Sequence, residues 1–164
     1  MPNKELLEKL RKHLVSRDAV KLRDLSGEAS DLAFITQDKD TVNIGIIAYA
    51  LYKIFLKTHY QKKFEPLASN AQTKIDSGDL EGLVEEIKEF DIQHGFFQGN
   101  VVKKARIKIG ARLYTRGLSL SKAAQMVSVN ISDLLEYSGG TQVHEKPAKG
   151  SVKERLETAR TLFE

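Results

Sequence analysis

An almost uninterrupted apolar run, from Val42 to Leu56, constrains the fold of this chain more than any other feature of its sequence. The run is too short to cross a bilayer, which takes about 20 apolar residues, and Asn43 and Lys53 interrupt it. A helix that is apolar on nearly every side is typical of the buried centre of a helical protein. We therefore expect a central core helix here, and no membrane association.

Elsewhere along the 164 residues, apolar side chains recur at the spacing of helix faces. The central helix is expected from Thr41 to about His59, and Gly139 with Gly140 is expected to end a helix that begins at Ile131. The short connections favour antiparallel neighbours. The sequence thus predicts an all-α fold with an N-terminal antiparallel helical bundle, a helix-turn-helix unit and a C-terminal helix.

The stretch from Asp91 to Asn100 carries two glycines and several polar residues, which predicts a loop and a domain boundary. We expect the bundle in residues 1–91 and the helix-turn-helix region in residues 98–140, with Asn100 as a helix cap. Residues 141–164 are expected to form a tail, extended or looped at first and ending in an amphipathic helix.

Positive charge is concentrated in one part of the chain. The formal net charge is +4, yet residues 92–132 hold seven basic residues and no acidic one, so the rest of the chain sums to −3. The seven basic residues are Lys103, Lys104, Arg106, Lys108, Arg112, Arg116 and Lys122.

Four of these residues follow one another in steps of four and would form one slowly drifting stripe on a helix: Lys104, Lys108, Arg112 and Arg116. Like charges at this spacing cost about 0.2–0.5 kcal/mol per pair, and no acid of the same helix relieves them. The phosphate backbone of a nucleic acid would stabilise such a stripe. The alternative is plain solvation or pairing with the acidic fifth helix, which carries Glu81, Glu85, Glu86 and Glu89.

The segment from Leu120 to Ser138 has the spacing of a helix-turn-helix. Ala124 is small where the first short helix must pack on the second. The remaining inner positions are expected to be Ala123, Val127, Val129, Ile131, Leu134 and Tyr137. Ser128 stands in the turn, where glycine is common, and Asn130 is expected to compensate because Asn tolerates unusual backbone angles and caps helices.

An aliphatic-Tyr helix end at Leu113-Tyr114 is followed by Gly117, by the run Leu118 to Ala124, and by a Leu-rich helix from Ile131 to Tyr137. In these features the segment from Ile109 to His144 resembles a small helix-turn-helix family of prokaryotic antitoxin-type proteins, common in archaea. The resemblance implies a DNA-binding regulator or antitoxin-like protein. It also implies a short strand-like tail, here residues 142–144, that engages a protein partner. The preceding bundle lies outside the resemblance.

The leading functional hypothesis is therefore binding of duplex DNA. Its candidate residues are Lys103, Lys104, Lys108, Arg112, Arg116, Lys122, Asn130 and Ser132. Asp133 and Glu136 also stand on the presumed recognition helix, and they would meet phosphates badly. The alternative is a non-enzymatic protein-interaction adaptor whose helix-turn-helix is a packing or partner surface.

The C-terminal residues predict a contact with a protein. An amphipathic helix this short is marginal in water, so it needs a surface to pack on. The occupant of that contact is expected to be the chain's own bundle, a second copy in a homodimer, or a toxin-like nuclease. The candidate partner-binding residues are Val143, His144, Leu156, Leu162 and Phe163.

No catalytic constellation can be named. The chain has no cysteine, which excludes disulfides and thiolate metal sites and fits a reducing compartment. The four histidines lack metal-ligand spacing: they are His13, His59, His94 and His144. Phosphate-binding and nucleophile-elbow motifs are also missing. We expect a cytoplasmic protein that is not an enzyme and needs no cofactor or metal.

Overall fold

The computed structural model describes residues 3–57, 63–95 and 100–144, and within these ranges the chain forms helices and no strand. The predicted all-α fold class is confirmed. The eight helices of the described residues are α1 (Lys4–Ser16), α2 (Ala19–Thr36), α3 (Lys39–Phe55), α4 (Phe64–Ser77), α5 (Leu80–His94), α6 (Val101–Thr115), α7 (Leu120–Val127) and α8 (Ile131–His144).

Polar residues in short linkers start the first three helices. The side chain of Asn3 accepts hydrogen bonds from two N–H groups in the first turn of α1. Asp18 accepts from the N–H of Lys21 at 3.0 Å, and Asp38 accepts from the N–H of Thr41 at 2.9 Å. These caps satisfy N–H groups that the first helical turn leaves without an intrahelical partner.

α3 is the centre of the core. Every residue from Thr41 to Ala48 is buried, and α3 contacts α1, α2, α5, α6 and α7. The prediction of a central core helix is therefore confirmed. No helix in the described ranges combines the length and the apolar character that crossing a membrane requires.

The bounds of α3 differ from those predicted. The helix begins at Lys39 instead of Thr41, because Asp38 supplies the cap. It ends at Phe55, and Leu56 and Lys57 already lie outside the helix, so the expected end near His59 is too late. The side chains of Leu56 and Lys57 are exposed, so burial does not stabilise another helical turn at this point. His59 itself lies outside the described residues.

Gly45 marks the point where three helices meet. A Cβ built there would lie 3.6 Å from the Cβ of Ala29 on α2 and 3.6 Å from Cδ1 of Ile109 on α6. On the other side of the core, the ring of Phe64 on α4 lies 5.4 Å from that of Phe55 and 6.0 Å from that of Phe90. One hydrophobic core thus extends from α1 to α8 through the described residues.

The loop predicted from Asp91 to Asn100 begins later than expected, because α5 continues to His94. Asp91 is fully buried in α5, and its Oδ2 atom accepts a hydrogen bond of 2.9 Å from the N–H of Val101. The Asn100 side chain makes no cap hydrogen bond, so that part of the expectation is wrong. A carboxylate from the end of α5 therefore caps α6 and holds the two helix ends together.

We expect Asp91→Ala to lower the free energy of unfolding by about 1–3 kcal/mol, because the N–H of Val101 would stay buried without an acceptor. Asp91→Asn keeps a carbonyl acceptor and should cost less. Urea denaturation of each variant measures both values. The matched control is Gln93→Ala, at an exposed position of the same helix, and an equal loss in that control would contradict the prediction.

Candidate interaction surface of α6, α7 and α8

α7 and α8 are joined by a turn at residues 128–130. The hydroxyl of Ser119 caps α7 by accepting from the N–H of Lys122 at 3.2 Å. Ser128 ends α7 in the left-handed conformation, with φ of 56°. Ser128, and not Asn130, thus adopts the unusual backbone angles that the sequence analysis assigned to Asn130.

Gly110 allows α7 and α8 to pack closely on α6. A Cβ built at Gly110 would lie 2.9 Å from Cγ2 of Val127 and 3.2 Å from Cδ1 of Leu134. Val127 and Leu134 are fully buried, as is Ala124 apart from a trace of exposure. α6 therefore packs in the bundle core through Ile109. At the adjacent Gly110, α7 and α8 pack against α6.

The inner face of α8 is narrower than predicted. Leu134 is buried as expected, but Ile131 is 48% exposed and Tyr137 is 36% exposed. The second buried position is Ser138, one turn after Leu134. Within the described residues, α8 has extensive contacts only with α6 and α7. One narrow stripe of buried side chains is therefore enough to pack α8 against them. Ile131 and Tyr137 lie on either flank of that stripe, because each is three residues from Leu134.

α8 also continues past the predicted stop. It runs through Gly139 and Gly140 to His144, because a helical glycine costs only about 1 kcal/mol relative to alanine and does not by itself end a helix. The prediction that residues 142–144 are strand-like is therefore wrong. Val143 and His144, two of the predicted partner-binding residues, belong to the last turn of α8. The other three, Leu156, Leu162 and Phe163, lie outside the described residues.

Several basic residues of α6 have partners inside the chain. Lys103 forms an ion pair with Asp133 of α8, with 3.0 Å between nitrogen and oxygen. Arg116 pairs with Asp31 of α2 at 2.5 Å. In addition, Arg106 donates a hydrogen bond of 2.8 Å to the carbonyl oxygen that ends α7.

Two residues of the predicted stripe are half-buried. The Nζ atom of Lys108 lies 3.2 Å from the hydroxyl oxygen of Tyr137, and the guanidinium of Arg112 packs against Gly27 of α2. The acidic residues of α5 that we considered as partners instead pair elsewhere, Glu81 with Lys39 and Glu85 with Lys88. The basic side chains in and directly after α6 thus interact mainly with residues of α2, α7 and α8.

The eight predicted DNA-binding residues do not form one open surface. Lys108 and Arg112 are half-buried, whereas the other six are exposed on the outside of α6, α7 and the start of α8. Those six are Lys103, Lys104, Arg116, Lys122, Asn130 and Ser132. Across its described residues, the protein has no group of three or more His, Asp or Glu side chains placed to hold a metal ion.

The exposed side of α8 is apolar and contains no base. Residues 131–144 include no lysine or arginine, and Leu135 is 54% exposed on the same face of α8 as Ile131, four residues earlier. The sequence analysis did not single out Leu135. Its signal was the pair Leu134-Leu135, because a helix with one narrow inner stripe can bury only one of two adjacent leucines.

No family model, no curated protein and no solved structure matches this chain.

We expect Gly110→Ala to destabilise the protein by about 1–3 kcal/mol through overpacking against Val127 and Leu134. Gly139→Ala is the matched control, because a Cβ there meets nothing within 4 Å. That change should stabilise the protein by roughly 0.5–1 kcal/mol through helix propensity. Thermal and urea denaturation compare the two variants. A Gly110→Ala protein as stable as Gly139→Ala would contradict the packing of α6 described above.

Proposed function

We propose that the chain is a non-enzymatic protein-interaction adaptor whose α8 helix presents the partner surface. The observation that carries the proposal is the pair Ile131 and Leu135, which are exposed four residues apart on one face of α8, a helix that contains no lysine or arginine. Large side chains exposed in one place are typical of contact sites between proteins. A helix that reads DNA instead needs donors such as Arg, Lys, Asn or Gln at its exposed positions.

The charge on this surface suggests the chemistry of the partner. Glu136 is exposed on α8, whereas Asp133 is paired with Lys103. Electrostatic complementarity between partners favours opposite charges at the rim of an interface. We therefore infer a protein partner whose surface is apolar at its centre and basic at its rim.

We expect Leu135→Glu to abolish the interaction, because it places a charge in the centre of the apolar surface. Val20→Glu is the matched control, since Val20 of α2 is similarly exposed, at 58% against 54% for Leu135. The wild-type chain and both variants would be isolated from their native cells with a common tag. Quantitative mass spectrometry should find one partner with wild type and Val20→Glu, lost with Leu135→Glu.

Light scattering of the purified chains tests the case in which the partner is a second copy. A wild-type dimer that becomes a monomer only in Leu135→Glu supports the adaptor proposal. If Leu135→Glu retains every interaction and the same mass as wild type, the proposal is refuted.

DNA binding is the second candidate, and one observation favours it. Lys103, Lys104 and Lys122 are exposed within the only segment that carries the chain's positive excess. Lysines that contact phosphates release counterions, which gives the affinity a steep dependence on salt. This candidate requires contact through α6 and α7, because α8 supplies no cation.

We expect the triple change of Lys103, Lys104 and Lys122 to serine to weaken binding to duplex DNA if this candidate holds. Loss of three phosphate contacts should reduce the slope of log affinity against log salt by about 2.7. Fluorescence anisotropy at two salt concentrations measures it, with Lys4, Lys12 and Lys21 changed to serine as a charge-matched control. Binding by the wild-type chain no tighter than about 10⁻⁴ M at low salt would exclude the candidate.

A further inference from the structure

A cluster of cations and phenols lies where the bundle meets α6 and α8. Its members come from α3, α6 and α8, and within the described residues its cations form no ion pair. The members of this junction cluster are Tyr49, Tyr52, Lys53, Lys108, Arg112 and Tyr137.

Arg112 is the member that most needs a ligand. Its Nη1 atom is buried and has no hydrogen-bond partner in the part of the chain that the structure describes. The same atom lies 3.2 Å from where a Cβ of Gly27 would be, so the guanidinium is pressed against the backbone of α2. A buried cationic donor without an acceptor is costly. The planar fork of an arginine matches the oxygens of a phosphate group, which can accept two hydrogen bonds from it.

Two lysine ammonium groups of the cluster lie against its aromatic rings, and neither forms an ion pair with a carboxylate of the described residues. The Nζ atom of Lys108 lies 3.2 Å from the hydroxyl oxygen of Tyr137 and 5.8 Å from the centre of its ring. The Nζ atom of Lys53 lies 5.2 Å from the ring centre of Tyr52 and 5.6 Å from that of Tyr49. Contacts with aromatic rings orient an ammonium group and leave its N–H donors able to bind an anion.

Tyr49 of α3 lies within electrostatic range of two cations of α6, Lys108 and Arg112. Burial raises the pKa of its phenol, and the charges of Lys108 and Arg112 act on the same group in the opposite direction. The Tyr49 hydroxyl is a hydrogen-bond donor at neutral pH, as any phenol is.

We propose that the junction cluster binds a small phosphate-bearing anion, with Arg112 and Lys108 as its charged contacts and Tyr49 as a further donor. The ligand would lie between α2, α3, α6 and α8. Tyr137 of α8 is in contact with Lys108, so an occupied site would also hold α8 against the bundle. Such a site adds a small-molecule ligand to a chain whose proposed partner is a protein, and it does not depend on that proposal.

The test is calorimetric titration of the full chain with inorganic phosphate and with pyrophosphate, at constant ionic strength balanced with chloride. We expect saturable binding and a rise in Tm with ligand concentration. Arg112→Met and Lys108→Met should each weaken binding about tenfold or more. Lys12→Met, at an exposed position of α1, is the matched control and should bind as wild type does.

The stability of Arg112→Met without ligand gives an independent readout. If Arg112 is a buried, unpaired cation, replacing it with an apolar side chain should leave Tm unchanged or raise it, while removing the response to pyrophosphate. If Arg112→Met does not fold, Lys108→Met decides the matter, because its side chain is half-exposed and forms no ion pair among the described residues.

Three outcomes would overturn the proposal. One is wild-type binding of pyrophosphate weaker than about 1 mM. Another is equal binding by wild type and Lys108→Met, since a contact residue must contribute to affinity. The third is found with duplex DNA at the same phosphate concentration: if DNA saturates the site and pyrophosphate does not compete, the phosphate belongs to a nucleic-acid backbone and not to a small anion.

Discussion

The structure depends on the need to cover α3 on all sides. A helix that is apolar around nearly its whole circumference must be shielded from water on every side. The helices that surround α3 are α1, α2, α5, α6 and α7. α6 is both one of these covering helices and the most basic element of the chain. Its apolar residues must face α3, so its lysines and arginines are forced to the edges of the contact, where they meet α2 and α8. The distribution of charge on the second half of the protein follows from the burial of α3.

Local signals in the sequence were sufficient for the fold class. Side-chain caps such as Asn3, Asp18 and Ser119 act within three residues, and the apolar pattern of α3 needs no knowledge of its neighbours. Helix ends were harder to predict. Asp91 has the character of a loop residue, and only its hydrogen bond to the N–H of Val101, ten residues later, explains why it is buried in α5. α8 likewise continues through two glycines that typically indicate a stop.

The candidate surface could be predicted only in outline. The sequence identified the basic stripe and the buried position of Leu134, because both follow from helical periodicity. It could not show which element lies opposite each cation, and the partners of Arg116 and Lys103 are Asp31 and Asp133, on two different helices. The width of the buried face of α8 could not be predicted from the sequence either, since it depends on how many helices cover α8. The exposure of Leu135 is therefore a result of the tertiary packing.

Ile109 and Gly110 have a mechanical consequence. These adjacent residues contact opposite neighbours: Ile109 reaches Gly45 in the centre of the bundle, and Gly110 meets Val127 and Leu134. Closely packed interiors transmit strain because they contain little free volume to absorb it. A displacement of α8 is therefore transmitted to α3 across the width of α6, through the adjacent residues Gly110 and Ile109. α6 therefore connects α8 at the surface rigidly to α3 at the centre, so that a displacement of either helix is transmitted to the other.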